Sequence, residues 1–351
     1  MKKNIRWLVL SAVLWLLIHL GRLFATAHPD LVTKYFTPYS RAVASVLGKL
    51  CSYAKGISVG EILIFICIAL FLFFLILVII KKMKFIRLVS LLILCVSVGV
   101  FVEFYTWGYN NYSEPIEKIL AIETRKYSED ELFEAANYYL DKANELSIDV
   151  ERENGQPKLE SLYDTGIKVS KAYADLGKIY PEFSKESYPA KGFLTSEIIT
   201  RLDLAGMYIP FTGECNVVTT EPNLALPHTI AHEYAHYYGI GREKEANFAG
   251  FLALMQTDDI SLKYSAYYTA YVYCHNALSQ ENAKILREGC NDSFRADINY
   301  VSAQYAKYEG TASRIGDKIN DTYLKAVSQS EGVKSYGQVV DLLIAYYQQN
   351  K

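Results

Sequence analysis

Three long apolar runs precede residue 108, and an amphipathic, helix-spaced pattern follows it. The first run, Trp7 to Leu20, extends past Gly21 and Arg22 to Phe24. That is marginal against the roughly 20 residues a span needs, and it relies on Arg22 reaching back to the interface. The second, Ile62 to Ile80, carries no charge. The third, Leu88 to Phe104, has only Glu103 near its end and is followed by Tyr105, Trp107, Tyr109 and Tyr112, an aromatic belt of the kind found at membrane interfaces. The pattern predicts a membrane anchor over 1–108, with spans at about 6–24, 61–80 and 86–106 and an outer loop at 25–60. The start MKKNIR, with Ala25-Thr26-Ala27 behind the first run, also fits a cleaved secretory leader. The two further spans and the length of the run favour a retained one.

Basic residues set the orientation. Lys2, Lys3 and Arg6 precede the first span, and Lys81, Lys82, Lys84 and Arg87 crowd the tight turn between the second and third. By the positive-inside rule both belong in the cytoplasm. The expected product is a multi-pass protein of the cytoplasmic membrane, N-terminus inside, with a C-terminal domain at 109–351 outside. In the outer loop Val43, Val46, Leu47, Leu50 and Ala54 share one helical face. That face suits either a helix lying flat on the outer leaflet or an ordinary packed connector.

Beyond the anchor the pattern predicts a mainly α domain with a small β element, an α+β fold. Ser128 and Glu131 form a capping box ahead of a stripe at Leu132, Ala136, Tyr139, Leu140, Ala143 and Leu146. Asn154-Gly155 interrupts the chain, and a second helix runs from Leu159 to Ile179, stopped by Pro181. Between Gly206 and Thr220 the β-branched and aromatic bias, with Thr212-Gly213 as its turn, predicts a hairpin. From residue 225 the pattern is helical to the end, with caps expected at Ser279, Asp292 and Ser335.

Composition changes this picture little but excludes some functions. The chain has 351 residues, 51% hydrophobic and 21% charged, with mean hydropathy +0.06, which excludes a disordered solvating chain. A formal net charge of -2 argues against nucleic acid as a partner. The 29 tyrosines sit mainly on helical faces and read as packing. Cys51, Cys67, Cys95, Cys215, Cys274 and Cys290 form no CxxC pattern; a Cys274–Cys290 pair is left open by sequence.

The chemistry concentrates in His232-Glu233-Tyr234-Ala235-His236. Residues four apart share a helix face, so His232 and His236 can grip one metal ion, and Glu233 beside the open position can act as general base and then acid on a metal-activated water. A catalytic zinc takes three protein ligands. Gly239 and Gly241 end the motif helix, Gly239 as a left-handed C-cap. One zinc-protease group has a third histidine six residues after the second, but Arg242 stands there. The remaining candidates are Glu243 and Glu245, which diverge by about 200° on a helix. Glu243 shares its face with Asn247, whose amide oxygen can orient a histidine ligand, whereas Glu245 shares its face with Ala249. Glu243 is therefore preferred, with Glu245 as the alternative ligand.

The stretch LPHTIAHEYAHYYGIGREKEANF, with PFTGECN before it and SYGQVVDLLIAYY near the end, resembles a bacterial family of multi-span membrane proteins of unassigned function, described as HExxH zinc metallopeptidases. EKEANFAGFLAL is more loosely similar to a stretch of the cytosolic metallopeptidases that cleave phage-type repressors. The resemblance implies a glutamate-zincin-like domain behind the anchor, Zn2+ as cofactor, His232, His236 and Glu243 as ligands and Glu233 as the base. It departs from other glutamate-type zinc proteases at Asn247, where an Asp is common.

The expected function is a membrane-anchored zinc metallopeptidase acting on a peptide or protein substrate outside the membrane. A non-catalytic zinc-binding sensor or scaffold is the alternative, as is an amidase of cell-wall peptides. An intramembrane protease is disfavoured because the motif region is too polar for a span. His228 is expected to cap or pack, His275 or a tyrosine to stabilise an oxyanion, and the strand within Cys215–Thr220 to pair with an extended substrate. Sequence does not define the oligomeric state.

Overall fold

The computed structural model describes residues 2–326 and 339–351, so the cap expected at Ser335 lies outside the described residues. Three helices are long and apolar enough to cross a membrane: α1 (Lys2–Ala27), α3 (Val59–Ile79) and α4 (Phe85–Thr106). The helix between the first two, α2 (Thr37–Ser52), lies in the segment that joins them. Helices α1 and α4 run side by side in the same direction. Their contacts keep one offset along their length: the Arg87 guanidinium over the Trp7 ring, Trp15 Nε1 donating to Ser97 Oγ at 3.1 Å, and Gly21 against Phe104. Gly21 is needed there, because a Cβ would lie 2.6 Å from the Tyr109 hydroxyl.

Helix α2 is a packed connector. It docks through the small, buried Ser40, Ala44 and Gly48, and its apolar face stays outward, with Val46 and Leu50 exposed. Small residues decide this because the helix lies against the turn at Gly213, whose carbonyl would stand 2.9 Å from a Cβ at Gly48. Ala44 joins the same apolar core as the domain that follows.

That domain is helical around a small sheet. Ser128 and Glu131 form both bonds of the capping box that starts α5 (Glu129–Asp149). A two-residue hairpin, β1 (Arg152–Glu153) and β2 (Gln156–Pro157), turns at Asn154 and Gly155, both at positive φ, the usual chemistry of a tight hairpin. Helix α6 (Leu162–Ile179) begins three residues later than its apolar pattern suggests, because Ser161 is its cap. Three strands, β3 (Lys191–Gly192), β4 (Gly206–Ile209) and β5 (Glu214–Val217), form a sheet of order β3-β5-β4, parallel then antiparallel. Helices α7 (Leu226–Tyr237) and α8 (Glu243–Leu254) pack together beneath this sheet, and α9 (Ile260–Ala277) lies across them and α5. Helices α10 (Gln280–Glu288), α11 (Asp292–Ala306), α12 (Thr311–Ala326) and α13 (Val340–Gln349) complete the described fold. The cap of α11 is Asn291 rather than Asp292; its side chain accepts from Phe294 N at 2.7 Å. All six cysteines are free.

A buried ion pair ties sheet to membrane helix. Lys191 Nζ meets Glu214 Oε1 at 2.5 Å, and the same carboxylate accepts from Val59 N at 3.2 Å and Gly60 N at 2.8 Å, at the start of α3. Removing one partner strands the other charge in a dry site. Glu214→Ala is therefore expected to cost about 3–5 kcal/mol, read as a lowered unfolding midpoint of the full chain in detergent micelles; a midpoint equal to wild type would contradict this account of the junction.

Candidate metal centre

Local sequence places the motif before any tertiary contact acts. Pro227 in the first turn starts α7, and the helix stops where Gly239 adopts φ +84°. Ile240 N then donates back to Ala235 O at 3.0 Å, the wrap that satisfies the last carbonyls of a helix. The chain turns through Gly241 into α8, which returns close along α7: Gly250 lies against the His232 backbone, where a Cβ would meet His232 N at 3.1 Å.

This crossing brings Glu243 onto the two histidines. His232 Nε2 lies 3.1 Å from His236 Nε2 and 3.1 Å from Glu243 Oε2, which is 3.7 Å from His236 Nε2. Donor atoms of the three side chains all lie within 4.8 Å of one another. Glu245, by contrast, is buried against Arg242, whose Nη1 donates to Ser113 O at 2.9 Å. It braces the helix start and does not approach the histidines.

The outer nitrogens of both rings face carbonyl oxygens: His232 Nδ1 lies 2.8 Å from Asn247 Oδ1, and His236 Nδ1 lies 2.7 Å from Ile240 O. An oxygen of this kind only accepts, so each Nδ1 carries a proton, and it is each Nε2, beside Glu243, that would give its lone pair to a metal. Two imidazole lone pairs and a carboxylate converging at these distances form a donor set suited to a zinc-type cation. Burial pulls the His236 pKa down, but the Glu243 charge and hydrogen bond outweigh it and raise that pKa to about 9. Burial likewise opposes ionisation of Glu243, yet His236 and His232 hold its carboxyl well below the usual range. Asn247 matters in the same way: Asn247→Ala is expected to weaken zinc binding about 10–100-fold, measured by competition with a chromophoric chelator, and an unchanged affinity would remove it from the site.

Glu233 projects beside this set. It is buried, its Oε2 has no hydrogen-bond partner among the described residues, and burial raises its pKa despite the neighbouring histidines. The backbone at Tyr208 partly offsets that rise, and Gly206 comes so close that a Cβ would meet Glu233 Oε1 at 2.5 Å. Edge strand β4 thus runs directly past the carboxylate. A cleft of about 410 Å³ opens here, with His232, Glu233 and Asn247 on its floor and Tyr273 on its wall.

Some expectations need correcting. The strand within Cys215–Thr220 cannot receive a substrate along its edge, since β5 is the central strand, paired with β3 on one side and β4 on the other. The strands with an unpaired side are β3 and β4, and β4 is the one beside Glu233. His275 lies beside Asn276 and its ring is tilted against Tyr271, and it does not line the cleft, whereas Tyr273 of the same helix does. Nothing in the sequence marks Tyr273 among 29 tyrosines. His228 is buried beneath the site with Nε2 3.2 Å from Asn247 O; burial and then the nearby His232 lower its pKa to about 3, so it stays neutral.

The profile of the family described as "Protein of unknown function (DUF3810)" matches residues 34–344, and the chain belongs to this family. No curated protein and no solved structure matches it.

Proposed function

We propose that this DUF3810 chain is a membrane-anchored zinc metallopeptidase, hydrolysing peptide bonds in the cleft beside β4 on the outer face of the bacterial cytoplasmic membrane. The observation that carries the reading is Glu233: a buried carboxylate with an unpartnered oxygen, set against three converging ligand atoms and open to a cleft. A purely structural metal site tends to be closed by four protein ligands and has no use for such a base.

His232, His236 and Glu243 would hold the metal. Zinc bound there supplies Lewis acidity, polarising a carbonyl and making water acidic enough to deprotonate near neutral pH. The chain's own groups do the rest. Glu233 takes the proton from the attacking water and passes it to the departing amine. The unpaired outer edge of β4 offers backbone groups to an extended peptide, aligning it past Glu233. Tyr273, which lines the cleft, would donate its hydroxyl to the oxyanion. Asn247 and the Ile240 carbonyl hold both rings in the ligating tautomer.

The test is hydrolysis of a mixed-sequence peptide pool by the full chain in detergent micelles, read by mass spectrometry. Cleavage that 1,10-phenanthroline stops and added Zn2+ restores is the expected result. Cleavage that survives metal removal, or none by zinc-loaded protein, would overturn the reading.

A further inference from the structure

The metal centre sits where the membrane helices end. Trp107 directly follows α4; its Nε1 donates to His236 O at 2.9 Å, and its ring stands edge-on to the His236 imidazole at 5.9 Å. Asn110 and Asn111, just beyond, back the turn at Gly239 and Gly241 that separates the two site helices. On the other side, the first turn of α3 is built into the sheet. Ile209 packs on Gly60, the Glu61 carboxylate accepts from Leu194 N at 2.6 Å and Thr195 N at 2.9 Å, and Glu214 caps Val59 and Gly60. Ile209 and Gly206 are the two ends of β4, and Gly206 abuts Glu233. At about 3.4 Å per residue, Glu233 lies about 10 Å along the strand from the first turn of α3.

A headgroup layer is about 5–7 Å deep on each side of the hydrocarbon. A site braced on one side by the residue after one span, and about 10 Å from the start of another, lies at the bilayer surface. Leu194, whose N–H donates to Glu61 in that first turn of α3, is 67% exposed, and Phe211, two residues beyond Ile209, is 47% exposed, which forms an apolar rim beside the span. Such a rim fits lipid, because it continues the apolar surface of α3 itself.

Resting on the peptidase reading, we propose that the substrates are membrane-tethered chains, cut within a few residues of the point where their own anchor leaves the bilayer. An extended chain covers about 3.3–3.6 Å per residue, so only a few residues are needed to reach from the lipid surface to Glu233. A long flexible tether spreads its segment through a deeper layer above the surface, whereas a short one presents its first residues at the height of β4.

The experiment uses the full chain in liposomes of phosphatidylethanolamine and phosphatidylglycerol. One degenerate peptide segment is offered in three forms: fused to a transmembrane helix through a linker of about four residues, fused through one of about thirty, and free in solution. Both tethered forms are equally concentrated on the membrane, so linker length alone separates them. Cleavage of the short-linker form at least about tenfold faster than both others is the expected result, with Glu233→Gln inert on all three. Equal rates for the two tethered forms, or faster cleavage of the long one, would overturn the proposal while leaving the peptidase reading intact. No phenanthroline-sensitive cleavage of any form would overturn both.

Discussion

Replacing Glu233 with glutamine is expected to lower peptide hydrolysis by about 10²–10⁴-fold, the usual contribution of a positioned general base, while leaving metal content and fold in place. The carboxylate is buried, has an oxygen without a partner and is a neighbour of the ligand set rather than a member of it. Glutamine keeps the shape but cannot take a proton. It also removes a charge whose burial is unfavourable, so the unfolding midpoint should stay level or rise slightly. Hydrolysis and zinc content measured on one preparation decide the matter. A variant as active as wild type would remove Glu233 from the chemistry, and one that loses both zinc and activity would make it a ligand instead.

The second large effect separates Glu243 from Glu245. A unit charge about 4 Å from another is worth about 4 kcal/mol at the effective dielectric of protein sites, which is about a thousandfold in affinity. Glu243→Gln removes that charge from beside two imidazoles and should weaken zinc binding by at least about this factor. Glu245→Gln should leave zinc binding unchanged. Its cost falls on stability, about 2 kcal/mol, because Arg242 loses the charge of its buried partner. Zinc titration and thermal unfolding of both variants in detergent form a crossed test; the reverse pattern would exchange the roles of the two carboxylates.

How much of this could be read along the chain depended on how local each cause was. Charge-free runs such as Ile62–Ile80 need no partner to be recognised, and α3 covers Val59–Ile79. The turn at Gly239 and the caps at Ser128 and Ser279 are equally local, set by backbone geometry within a few residues. The phase of a helix is local too: with α8 starting at Glu243, two carboxylates two residues apart had to face different ways, and only Glu243 shared a face with Asn247.

Other features came only with tertiary contact. Strand β3 is two residues long and exists because β5 lies beside it. Helix α2 shows an apolar face at Val46 and Leu50 but docks through its small residues, because closeness to the Gly213 turn outweighed area. Which strand offers an open edge is a property of the order β3-β5-β4, which pairwise hairpin signals do not contain. Tyr273 was hidden among chemically identical neighbours until α9 turned it toward the cleft.

The central claim is that His232, His236 and Glu243 bind one zinc and leave room for water. Zinc K-edge X-ray absorption of the full chain, purified with its native metal, tests this most directly. The expected result is one zinc per chain, with scattering from two imidazoles and oxygen ligands only, altered in Glu243→Gln and unchanged in Glu245→Gln. A zinc shell containing sulfur, a third imidazole, or no stoichiometric metal in a folded protein would contradict it.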